Sequence, residues 1–139
     1  MNNDFLIKGG CLCGKVQYEV TGSLVHADHC HCSMCRRQHG SAYSTYADFS
    51  PGAFKWVSGE DHTKIYETPG GGGWCFCIEC GASLAGTEKG RITSVTLGTV
   101  VGDPGIKPDS HIFVGSKAPW HEITDDLPQF KEWPPNAVP

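Results

Sequence analysis

The chain has 139 residues, a formal net charge of −4 and 39% apolar residues, the size of one domain over residues 1–139 with a modest core. The acidic balance excludes sequence-independent nucleic-acid binding, which needs a basic surface. The longest stretches free of charge and histidine, Thr68 to Ile78 and Ile92 to Gly102, have eleven residues each, about half of what spans a bilayer as a helix. Lys15 to Val20 alternates, with Val16, Tyr18 and Val20 on one face, and reads as a half-buried strand. Met34 to His39 reads as one short helix, with Ser33 as N-cap and Gly40 as its stop. Tyr43 to Phe49, Phe54 to Val57 and Thr63 to Glu67 are short strands rich in aromatic and β-branched residues. Gly70 to Gly73 reads as a mobile rim. Gly73 to Cys77 and Ala82 to Ala85 form a strand pair around a tight Cys-Gly turn. Arg91 to Val101 is the strongest strand signal, and His111 to Val114 is the last. The Pro- and Trp-rich tail after Pro119 drapes over a sheet. The class is mainly β, built of short antiparallel strands.

The N-terminal stretch has no basic region followed by a long apolar run, so the expectation is a cytoplasmic protein. There, disulfides are not expected. The eight cysteines therefore need another explanation. They fall as Cys11 and Cys13; Cys30, Cys32 and Cys35; Cys75, Cys77 and Cys80. Cysteines two apart on a strand share a face, and CxxC before a turn lets two sulfurs converge on one ion. Gly14 and Gly81 follow Cys13 and Cys80, where a tight turn needs positive φ. A thioredoxin-like redox site needs a βαβ context that this chain lacks. Zinc suits the spacings best.

Two pairs, Cys11/Cys13 and Cys77/Cys80, can close a four-thiolate site. Joining Cys13 to Cys77 closes a 64-residue loop, which removes on the order of 4 kcal/mol of chain entropy from the unfolded state. Cys30, Cys32 and Cys35 then remain with an open fourth position, the arrangement of catalytic zinc. Spacing alone also permits a division that adds Cys75 as an eighth ligand.

Three segments carry a resemblance: Gly9-Gly10-Cys11-Leu12-Cys13-Gly14, His29-Cys30-His31-Cys32-Ser33-Met34-Cys35-Arg36-Arg37 and Phe76-Cys77-Ile78-Glu79-Cys80-Gly81. With tail segments around His111 to Trp120 and Asp126 to Phe130, they resemble the glutathione-dependent formaldehyde-activating enzyme family, which includes centromere protein V-like proteins. The resemblance implies a β-tent fold of short antiparallel sheets around zinc. It implies a structural zinc on Cys11, Cys13, Cys77 and Cys80 and a catalytic zinc on Cys30, Cys32 and Cys35, so two ions per chain. It further implies a carbon–sulfur lyase that joins a small thiol such as glutathione to formaldehyde, giving S-hydroxymethylglutathione, or acts on a related thiol adduct. Cys75 is not at an expected ligand position and reads as a buried thiol.

Arg36 and Arg37 follow Cys35 directly. Arg36 is a candidate to offset the charge of three thiolates or to hold a substrate carboxylate. The start of the helix near Ser33 would aim N–H groups at the triad. His29 and His31 point away from the face of Cys30 and Cys32 in an extended segment. His39 reads as a charge partner at the helix end. His111 and Trp120 are candidates for packing or for walling a pocket. The other functional class is a non-enzymatic zinc module that binds a protein partner. A fourth protein ligand on the triad would favour that module; an open position favours an enzyme.

Overall fold

The alternation at Lys15 to Val20 produces β2 (Gln17–Thr21), with Val16, Tyr18 and Val20 fully buried. The computed structural model describes residues 5–135. β2 pairs with β1 (Leu6–Gly10) on one side and with β5 (Phe54–Ser58) on the other. Thr63 to Glu67 forms β6, and β7 runs over Gly72–Cys77. Between them the chain turns at Gly71, so Gly72 and Gly73 belong to a strand rather than to a four-residue glycine rim. β8 (Ser83–Glu88) and β9 (Arg91–Thr96) continue the meander.

The strongest strand signal, Arg91 to Val101, is broken. β9 ends at Thr96, Leu97–Thr99 makes a 3-10 turn, and β10 (Val100–Val101) pairs with β1. Thr99 Oγ1 donates to the Thr96 carbonyl at 2.8 Å and also meets the Tyr18 hydroxyl at 2.7 Å. These bonds turn the chain out of one sheet and into the other.

Two strands carry little sequence signal. β1 ends in Gly9-Gly10, poor strand formers. A Cβ at Gly9 would lie 2.2 Å from the Tyr18 ring, so glycine there admits the aromatic side chain. β3 (His26–Cys30) reads HADHC, too polar to show alternation. It pairs antiparallel with β4 (Ser44–Asp48) and parallel with β11 (His111–Ile112).

Among the described residues the result is a four-stranded sheet, β10-β1-β2-β5, and a seven-stranded sheet, β11-β3-β4-β9-β8-β7-β6. All pairings but β11–β3 are antiparallel, and the single helix is α1 (Ser33–His39). The expected β-tent class, mainly β with one short helix, is what the chain adopts. The tail runs along β11: His111 N–H donates to the Pro128 carbonyl, and Phe130 N–H donates back to the His111 carbonyl, each at 2.9 Å.

Register explains the two faces of the larger sheet. Ala27, Ala47, Val95, Ala85 and Cys75 stand opposite one another in one continuous row across β3, β4, β9, β8 and β7. All five are at most 1% exposed and pack in one cluster with Ile7, Val16, Tyr18 and Val20 of the smaller sheet. Cys75 is thus a small apolar member of a row of small residues. Side chains point alternately to the two faces, so Asp28, Cys30, Tyr46, Asp48, Ser94 and Trp74 lie on the reverse face.

Candidate functional site

Cys11 and Cys13 lie just beyond β1; Cys77 ends β7 and Cys80 follows it. Their four Sγ atoms lie within 4.8 Å of one another. Cys11 and Cys13 sulfurs are 3.6 Å apart, and Cys13 and Cys77 sulfurs 3.9 Å. A tetrahedral ion held by thiolates at about 2.3 Å places sulfurs roughly 3.8 Å apart. The donor set and spacing therefore fit a closed thiolate site.

Both halves are built alike. Cys11 receives the Val16 N–H at 3.3 Å, and Cys77 receives those of Glu79 and Cys80 at 3.3 and 3.4 Å. Gly14 and Gly81 turn the chain at φ 83° and 81°, with open space where a Cβ would stand. Glycine is needed there for backbone sign alone. The backbone N–H groups of Ala82 and Cys13 hold the Cys80 thiol down to about 6, which favours the thiolate form that binds metal.

The second cluster comprises Cys30, Cys32 and Cys35, whose three sulfurs also lie within 4.8 Å of one another. Cys30 ends β3 and Cys35 lies inside α1. Cys32, rather than Ser33, is the N-cap: its sulfur accepts the Cys35 N–H at 3.2 Å. Thiol hydrogen bonds from Cys30 and then Cys35 pull the Cys32 pKa far down, while Cys32 and Cys35 push Cys30 far up. Three clustered thiols cannot all ionise without a cation among them. No fourth histidine, cysteine or carboxylate ligand atom joins the triad among the described residues. Cys75 joins neither cluster, and all eight cysteines are free of disulfides.

The triad opens into a cavity of about 370 Å³. Its walls include Met34, Tyr46, Trp74, Phe113 and Trp133, with Asp28 and Asp48 among its polar groups. Gly86 forms part of the floor, where a Cβ would lie 2.6 Å from Ser94 Oγ. The Tyr46 hydroxyl is the centre of a buried network. It accepts the Trp74 indole N–H at 2.7 Å and the Ser44 hydroxyl at 3.0 Å. A phenol oxygen accepts two bonds and donates one. Its own proton therefore serves either His39 Nε2 at 3.0 Å or Cys35 Sγ at 3.5 Å. Burial lowers the His39 pKa, and its ring meets the Tyr46 hydroxyl at the end of α1.

His29 and His31 point away from the triad sulfurs, as their alternation predicts. His29 Nδ1 meets Thr45 Oγ1 at 2.7 Å. His31 is fully buried; its Nε2 meets His111 Nδ1 at 2.8 Å, and His111 Nε2 donates to Asp125 at 3.0 Å. Burial, then His111, lowers His31 to about 4. His111 is 2% exposed and Trp120 71%. Neither lines the cavity; Phe113 and Trp133 take that place, their rings edge to face at 5.1 Å. Arg36 Nε donates to the Ser116 carbonyl at 3.2 Å, and neither Arg36 nor Arg37 is among the cavity-lining residues. Tyr46 and Trp74 were readable only as strand residues, since nothing in their spacing places them against Cys35.

Two sheets joined through one four-cysteine cluster, with a three-cysteine cluster opening on a cavity, define a fold with two sites that could hold a metal ion. Residues 6–116 match the family model of the glutathione-dependent formaldehyde-activating enzyme, and the chain belongs to that family. Among solved structures, the crystal structure of a Rhodobacter sphaeroides protein from a structural genomics programme is similar. It is 26% identical with a TM-score of 0.54, and the match covers 69% of this chain and 89% of that one. No curated protein matches this chain. No helix of the described residues is long and apolar enough to cross a membrane.

Proposed function

We propose that this chain is a zinc-dependent carbon–sulfur lyase that joins glutathione or a related small thiol to an aldehyde such as formaldehyde, and catalyses the reverse cleavage. The observation that carries this reading is the triad of Cys30, Cys32 and Cys35, which faces a cavity and lacks a fourth protein ligand among the described residues. The closed set of Cys11, Cys13, Cys77 and Cys80 then holds the structural ion. The open position also argues against a purely structural interaction module, in which a fourth side chain would close the site.

In the reaction the thiol sulfur adds to the carbonyl carbon. The C=O π pair moves to oxygen, which takes up the proton lost by the thiol. Zinc on the triad would supply the positive charge that keeps an incoming thiol ionised at neutral pH. Hydrogen bonds from Cys30 and Cys35 favour the thiolate form at Cys32, the form that would bind the ion. The Cys35 N–H fixes the Cys32 sulfur, and Tyr46 limits where the Cys35 sulfur can stand. Arg36, the next residue along α1, joins the helix to the Ser116 carbonyl. Phe113, Trp74 and Trp133 line the cavity in which the reacting carbon would lie.

The test is metal analysis of the purified protein, followed by NMR of glutathione plus formaldehyde. The reading expects two zinc ions per chain and adduct exchange faster than background. Two ions without acceleration for any thiol tried would overturn the lyase assignment and leave the metal sites standing.

A further inference from the structure

The charge of the cavity says which thiols suit it. Among the described residues no lysine, arginine or histidine lines it, whereas Asp28 and Asp48 do. Among the described residues, the one basic side chain within ion-pair distance of both carboxylates is His26, whose Nδ1 lies 3.8 Å from Asp28 and 3.6 Å from Asp48. His26 also meets a third carboxylate, Asp109, through Nε2 at 3.2 Å. One imidazole ring carries at most one positive charge and cannot cancel three carboxylates. Three thiolates around a divalent ion add a further net negative charge at the inner end. A substrate carboxylate entering here meets like charge from the triad and from the two acids in a partly desolvated space. Glutathione brings two carboxylates and one ammonium group.

The walls suit the opposite charge. Tyr46, Trp74, Phe113 and Trp133 present aromatic surface, and aromatic faces attract cations, more strongly where water is excluded. Gly72, Gly73 and Gly86 add no side chain that could carry a compensating charge. The cavity, about 370 Å³, lies at the small end of the range for ligand sites.

Building on the lyase reading above, we propose that the preferred thiol is small and cationic, bearing an ammonium group and no carboxylate, and is handled as its aldehyde adduct. Its sulfur faces the triad, and its cation lies between the aromatic walls and the Asp28–Asp48 pair. The bond changes are those already given: C–S forms, the carbonyl π pair goes to oxygen, and the thiol proton follows it.

The test uses matched thiols that differ in charge: 2-mercaptoethyl-trimethylammonium, 2-mercaptoethanol and 3-mercaptopropionate, with glutathione as the fourth. The quaternary ammonium cannot cyclise with the aldehyde, so adduct formation stays simple. Binding is read at low salt from the sulfur-to-metal absorption of cobalt-loaded protein, and turnover with formaldehyde by NMR on zinc-loaded protein. The expected result is cation over neutral over anion, with at least about tenfold between the first and last dissociation constants, or about 1.4 kcal/mol. The double variant Asp28→Asn/Asp48→Asn should bring that ratio close to one. A purely structural role for the two acids would weaken all thiols alike and leave the ratio unchanged, which would overturn the proposal. Equal or tighter binding of 3-mercaptopropionate or glutathione, with turnover, would also overturn it while the lyase reading stands. No spectral change and no turnover with any thiol would overturn both.

Discussion

The sulfurs of Cys13 and Cys77 lie 3.9 Å apart, although 64 residues separate them in the chain. Cys13 follows β1 of the smaller sheet, and Cys77 ends β7 of the larger one. The cluster thus joins the two sheets at one end of the apolar core they share. Cross-linking a loop of this length removes on the order of 4 kcal/mol of unfolded-state entropy. Cys80→Ser should therefore lose one zinc per chain and lower the melting midpoint by about 10 °C or more. Metal analysis and thermal melting of the same preparation check both at once. Retention of two ions at unchanged stability would show that Cys80 is no ligand.

The triad should behave differently. Cys30, Cys32 and Cys35 lie within one local segment, so an ion there closes only short loops and adds little to chain entropy. Cys32→Ser should lose one zinc yet stay folded, with a melting midpoint well above that of Cys80→Ser. A serine hydroxyl can still accept the Cys35 N–H, which preserves the cap. Equal destabilisation by the two variants would contradict the division into one stabilising and one reactive centre.

Tyr46→Phe removes the acceptor of both the Trp74 indole N–H and the Ser44 hydroxyl. A buried donor left without a partner costs about 1–3 kcal/mol. The variant should lose stability in that range in urea denaturation, while its zinc content stays at two per chain. It should also react more slowly, because the Cys35 sulfur loses its 3.5 Å contact with the phenol oxygen. An unchanged denaturation curve would remove Tyr46 from the centre of this network.

Alkaline pH gives a test far from the metal. Burial pushes the Tyr18 phenol up to about 12, whereas an unfolded tyrosine ionises near 10. The folded state holds this proton longer than the unfolded state. Its contribution is complete below about pH 10 and is lost as pH rises from about 10 to 12. Tyr18→Phe, which forfeits the 2.7 Å bond to Thr99, should cost about 0.5–1.5 kcal/mol at neutral pH. It should also show a shallower loss of stability above pH 10, measured by denaturant titration at a series of pH values.

Several features were legible without coordinates because they depend on local chemistry. The alternation of Val16, Tyr18 and Val20 marks one apolar face, and a strand with one apolar face must bury it. Gly14 and Gly81 follow cysteines where only positive φ closes the turn. Cysteine spacing separates a set able to close from a set with an open position, since a sulfur's reach along a strand or across a turn is set by backbone geometry. The mainly β class follows from many short, turn-bounded apolar runs.

Other features needed the tertiary structure. Arg91 to Val101 looks continuous because strand propensity does not register a change of sheet; the Thr99 hydroxyl, donating to the Thr96 carbonyl and accepting from Tyr18 in the other sheet, imposes the break. β1 and β3 are strands because their partners supply the ladder, not because glycine or histidine favours it. Cys75 is assigned by its row, where Ala27, Ala47, Val95 and Ala85 leave space for a small thiol. Which residues could share a metal is readable from the chain alone, since it depends on ligand type and short-range spacing. What faces that site depends on long-range contacts: Tyr46, Trp74, Asp28 and Trp133 come from four separate segments, and strand register with tail docking brings them to one cavity.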